Sequence, residues 1–183
     1  MPKKKEMTMN ELKKYLTELD EAELKRLLCH LYKNSDLAEK MINVSILGSD
    51  YEKRLLEQYK EKMYGVFFPN DIVRAGFSLS WAKSLISEFK KVGTSNENIV
   101  DLQLYYVECG TDFTNTFGDI DMKFYDSMCS VYHMVVQAVN KYGTDDLYRK
   151  LEDRLYSVVY DTRNIGWGFH DYVSELFYSI PWR

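Results

Sequence analysis

The stretch Asp119–Tyr142, DIDMKFYDSMCSVYHMVVQAVNKY, decides the fold. Gly118 stops the segment before it. Asp119 is read as an N-cap, because its carboxylate can accept a backbone N–H and its charge suits the positive start of a helix. Asp121 adds a second carboxylate to that first turn. Phe124, Met128, Val131, Val135, Ala138 and Tyr142 then recur at spacings of three and four. Tyr125, Cys129, Tyr132, Val136 and Val139 form a second stripe beside them. From Ser127 to Asn140 the only ionisable side chain besides cysteine and tyrosine is His133. A helix apolar on two adjoining stripes is buried on most faces. It should run about 35 Å, close to the width of a small domain, and be surrounded by other helices.

Working outward, helical signals recur along the chain. Thr8 and Glu11 form a capping box ahead of Leu12, Leu16 and Leu19. Asp20 and Glu23 repeat it ahead of Leu24, Leu27, Leu28 and Leu31. Asn34-Ser35-Asp36 opens a third helix to about Leu47, and Gly48-Ser49-Asp50 is a turn and cap for a fourth, Tyr51–Tyr64. Gly65–Ser78, with Pro69 and Gly76, reads as a loop containing a short extended segment. Ser80 opens a helix ended by Gly93, and Thr94-Ser95-Asn96 caps another with Ile99, Leu102, Tyr106, Cys109, Phe113 and Phe117 in line. Gly110 inside that pattern should cost about 1 kcal/mol relative to alanine, so either a neighbour crosses closely there or the helix breaks. After Gly143, Thr144 caps a helix to about Arg163, and Gly166-Trp167-Gly168 turns into the last, Phe169–Ser179.

The predicted fold is all-α: eight or nine helices in antiparallel hairpins around a long central helix, either α-solenoid-like or an irregular bundle. Residues 1–8 are expected to be a disordered basic tail and 9–183 one helical domain. Gly65–Ser78 is the candidate divide between lobes 9–64 and 79–183.

The chain has 183 residues, 45% of them hydrophobic and 28% charged, which suffices for a core without metal or disulfide. Fifteen tyrosines are unusual; they suit core boundaries and binding faces alike. Cys29, Cys109 and Cys129 have no paired spacing and read as reduced thiols of a cytoplasmic protein. Net charge is −4, and residues 95–140 hold seven acids against Lys123 alone, which argues against nucleic acid. No apolar run is long enough to cross a membrane.

Tyr105-Tyr106-Val107-Glu108, Phe117-Gly118-Asp119-Ile120-Asp121 with Phe124-Tyr125, and Gly166-Trp167-Gly168-Phe169-His170-Asp171 resemble a family of small bacterial proteins of unknown function. Ser80–Val92 and, more loosely, Leu12–Tyr32 extend the resemblance over most of the chain from about residue 10. It implies a helical protein and brings no activity, substrate or cofactor.

Three constellations carry chemistry. Asp119, Asp121 and Asp126 suit a cation or polar ligand, or simply a capped, solvated helix start; they fail the EF-hand pattern at Lys123, Phe124 and Ser130. Trp167, His170 and Asp171 lie on a glycine-flanked turn, where His170 could serve as acid or base, or the whole could be a cap and a packed ring. Cys129 and His133 share a helix face but lack further zinc ligands. The candidate ligand or partner site is Asp119, Asp121, Tyr125, Trp167, His170 and Asp171, with no metal and no cofactor expected. The preferred reading is a non-enzymatic module that binds a protein or peptide or forms a homo-oligomer. The alternative is a small-molecule or metal-dependent enzyme at Asp119, Asp121 and His170, with Glu108 as a further lining residue.

Overall fold

The structure is a computed structural model in which residues 6–70, 78–142 and 145–181 are described. Caps open its helices. The Thr8 hydroxyl accepts from the Glu11 amide at 3.3 Å while Glu11 accepts from the Thr8 amide at 2.7 Å, starting α1 (Met9–Glu18). Asp20 and Glu23 repeat the exchange at 2.7 and 2.9 Å for α2 (Glu21–Asn34). Ser35 caps α3 (Asp36–Phe67), Ser78 caps α4 (Leu79–Val92) and Ser95 caps α5 (Asn96–Phe117). Then come α6 (Met122–Tyr142), α7 (Asp145–Asp161) and α8 (Phe169–Tyr178). Among the described residues there is no strand, and the fold is an all-α bundle.

Several boundaries differ from the sequence reading. Gly48 does break the third helix from the fourth, as expected: at φ 69° and ψ −153° it leaves helical geometry and kinks α3 between two helical halves. Gly65, Val66 and Phe67, expected in a loop, continue that helix. Burial explains it: Phe67 is sealed in the core against Tyr106 and Phe113, which outweighs glycine's small helix penalty. Residues 71–77, half of the expected loop, lie outside the described residues. Ser78 rather than Ser80 caps α4, its hydroxyl accepting from the Trp81 amide.

From α3 onward the main packing joins each helix to the next and, mostly, to the next but one: α3 with α4 and α5, α5 with α6 and α7, α6 with α8, α7 with α8. Both apolar stripes of α6 are buried as expected from Phe124 to Val139, except Cys129 and Ala138, which are partly buried. The central position is shared, because α5 touches α3, α4, α6 and α7. At Gly110 of α5 the Met128 side chain of α6 fills the space a Cβ would take, so the neighbour crosses closely there and the helix stays intact.

Three acids of α5 find bases on other helices. Glu97 pairs with Lys150 at 2.9 Å, Asp101 with Lys60 at 2.9 Å and Arg154 at 2.6 Å, and Glu108 accepts both Nε and Nη2 of Arg154 at 2.7 Å. Glu52 of α3 accepts from Thr94 Oγ1, the Ser95 amide and Asn98 Nδ2 at 2.7–3.0 Å, tying the turn before α5 to the core. Burial pushes this carboxyl up, but those hydrogen bonds together hold it below its ordinary range.

Against this frame, α1 and α2 contribute no buried residue; α2 lies on α3.

Candidate functional site

Gly118 leaves α5 at φ 89°, its amide donating back to the Thr114 carbonyl at 2.8 Å. That exit displaces the next cap by two residues. Asp121, not Asp119, is the N-cap of α6, accepting the Phe124 amide at 2.9 Å. Asp119 is thereby released to a side chain, and accepts the Tyr125 hydroxyl at 2.9 Å. Burial, then Asp119, raises Tyr125 above the ordinary tyrosine range, so it remains a phenol and a donor.

The segment before α8 folds onto this pair. Trp167 stacks on Tyr125, with ring centroids 6.3 Å apart and planes 22° from parallel. Phe169 is fully buried against the same tyrosine, and Asp119 Oδ2 faces Gly166. Asp119, Tyr125 and Trp167, far apart in sequence, are thus one cluster. Trp167 sits at φ 60° and Gly168 at φ 70°. A left-handed tryptophan costs on the order of 1–2 kcal/mol, and Trp167 is nonetheless 57% exposed.

The remaining candidates go elsewhere. His170 Nδ1 lies 3.1 Å from the Thr162 hydroxyl, and neither a hydrogen bond nor an ion pair joins it to Asp119 or Asp121 among the described residues. Asp171 is an exposed acid in the first turn of α8. Glu108 is held by Arg154 in the ion ladder. The acid–base pairing sought for His170 therefore does not form; its partner is a hydroxyl.

Beside Trp167 runs a groove of about 600 Å³ between α6 and α8, lined by Asp126, Cys129, His133, Met134, Trp167 and Tyr172, with Ser130 and Gly168 completing it. His133 Nδ1 and the Tyr172 hydroxyl are 2.9 Å apart across its floor. Burial, then Asp126, pushes the Cys129 thiol up to about 11, so it stays protonated at neutral pH. Among the described residues no group of three His, Cys, Asp or Glu could hold a metal ion.

Sequence reasoning passed over Ser130, Met134 and Tyr172. The signal was there: Asp126, Ser130, His133 and Gln137 interrupt the apolar stripes of α6 at spacings of three and four, marking an uncovered face. The charge reading also sharpens. The acids of α5 named above are neutralised by α3 and α7, whereas Asp119, Asp121, Asp126, Asp171 and Glu175 have no basic partner among the described residues. No helix among them is long and apolar enough to cross a membrane.

A family model described as a family of unknown function (DUF6155) matches residues 7–176. No curated protein and no solved structure matches the chain.

Proposed function

We propose, from the premise that this chain belongs to that family of unknown function, a non-enzymatic interaction module. Its groove between α6 and α8 takes a lysine- or arginine-bearing segment of another protein. The observation that carries this reading is Trp167: an exposed indole, held in a costly backbone conformation, stacked on Tyr125 at the rim of the groove. Strain of that kind persists where surrounding contacts over-determine it, and it clusters at ligand clamps. Tryptophan and tyrosine are also the residues on which interface energy concentrates. The unpaired acid Asp126 lines the groove with Trp167 and Tyr172, and Asp171 and Glu175 lie on α8 either side of Tyr172 in sequence, a combination that favours a cation beside an apolar anchor.

The test is a peptide-display selection on the whole chain, with affinities of the enriched peptides measured by titration. Enriched peptides should carry Lys or Arg next to a bulky apolar residue. They should bind Trp167→Ala at least about tenfold more weakly, a loss of about 1.4 kcal/mol, and weaken again as salt rises. Peptides that are neutral or acidic, or that bind Trp167→Ala as tightly as wild type, would defeat the proposal.

A further inference from the structure

Met134 lines the groove beside Trp167, and it also lines a second hollow, of about 380 Å³, between α6 and the helices α4 and α5. Lys90, Ile99, Val100, Gln103 and Ala138 surround it there. Asp126, Ser130, Met134 and Ala138 follow one another at spacings of four, so they form one ridge that winds obliquely across α6. The ridge starts beside α8 and finishes beside α5.

We infer, resting on the interaction reading proposed above, that the two hollows form one track for an extended segment of the partner protein. The segment is basic at the Trp167 end, lays a backbone peptide group on Gln103, and carries an aspartate or glutamate at the Lys90 end. Gln103 is only 3% exposed. Among the described residues its amide has a single partner, the Met134 sulfur, which accepts from Nε2 at 3.6 Å. A thioether is a weak acceptor. The second amide hydrogen and the carbonyl are therefore left to whatever enters the hollow that Gln103 lines. A buried amide so poorly matched costs stability, and a peptide group, with its own C=O and N–H, is the complement. A helical partner offers no such group, because its peptide units bond one another.

Charge selects the pattern. Asp126 lines the first hollow with no basic partner among the described residues. Among the described residues that line the second hollow Lys90 alone is charged, and neither an ion pair nor a hydrogen bond joins it to another of them. The track is negative at one end and positive at the other, so a segment of one sign throughout is repelled at one of them. With Asp171 and Glu175 also on α8, the acids outnumber Lys90, and the segment as a whole stays basic. Length sets the spacing. Asp126 to Ala138 spans about 18 Å at 1.5 Å per residue, which an extended chain covers in about five or six residues.

The test titrates the selected peptides against variants of the whole chain and melts each variant alongside. Gln103→Met keeps the length of the side chain and removes its amide. It should melt no lower than wild type while peptide affinity falls about three- to tenfold; a glutamine that served the fold alone would lower the melting point and spare the affinity. Lys90→Glu, at an exposed site, should weaken the same peptides about two- to fivefold, and exchanging the peptide's acid for lysine should restore the loss. That exchange decides the matter where Gln103→Met folds poorly. Trp167-dependent peptides that bind either folded variant as tightly as wild type would overturn this inference and leave the first hollow to act alone. A selection that enriches nothing, or peptides indifferent to Trp167, would overturn the reading beneath it as well.

Discussion

The N-terminal helices α1 and α2 and the body α3–α8 are built with the same local devices and to opposite ends. Both open their helices with Ser, Thr or Asp caps, and both carry apolar residues at helical spacing. In the body that spacing seals Tyr106, Phe124, Met128 and Tyr132 from water; in α1 and α2 it fully buries no residue. Caps and periodicity make a helix competent to form, and only a neighbour makes it pay its ordering entropy. The contrast predicts where the molecule is brittle.

The largest effect is expected in the body. Phe124→Ala should cost about 3–5 kcal/mol in urea unfolding, whereas Leu28→Ala in the same assay should stay within about 0.5 kcal/mol. Equal losses would erase the distinction between the regions. Gly110→Ala comes next. Alanine gains about 1 kcal/mol in helix propensity, but Met128 is fully buried and has to be re-routed, for a net loss of about 1–3 kcal/mol by thermal or urea melting. A stabilised variant would mean that α5 and α6 part more readily than their contact indicates.

Glu52 sharpens the comparison through pH. Its folded value lies below its unfolded one, so its contribution is complete above the ordinary carboxylate range and is lost as pH falls through the folded value. The gap in Tm between wild type and Glu52→Gln should therefore be widest near neutrality and close in acid. A gap that does not vary with pH would place the role of Glu52 in packing alone. The smallest effect belongs to α1 and α2. Asp20→Ala removes a cap worth about 1 kcal/mol, which should speed amide exchange in α2 and leave the main melting transition where it was.

How much of this could be read in advance follows the same division. Thr8, Asp20 and Ser95 were legible as caps because capping is settled within four residues. The all-α class followed from stripes such as Phe124–Met128–Val131. Asp119 was misplaced because two acids separated by one residue compete for one cap, and the choice fell to the positive φ of Gly118 and to the hydroxyl of Tyr125. The meeting of Asp119, Tyr125 and Trp167 depends on α8 returning to α6 past α7, a tertiary fact with no local signature. Met134 lies outside both apolar stripes of α6, and nothing local joins it to Tyr172 of α8 across the groove.

The ion ladder along α5 has a consequence for alignment. Apolar stripes repeat at every turn, so packing alone would let α7 slide along α5 by about 5.4 Å and find a similar seat. The charges do not repeat that way. Glu97 meets Lys150 while Asp101 and Glu108 both close on Arg154, and further along Asn115 Nδ2 donates to the Asp161 carbonyl at 3.1 Å. A shift by one turn would strand Arg154 from at least one of its carboxylates. The ladder works as a ratchet with a single tooth, holding two parallel helices at one setting.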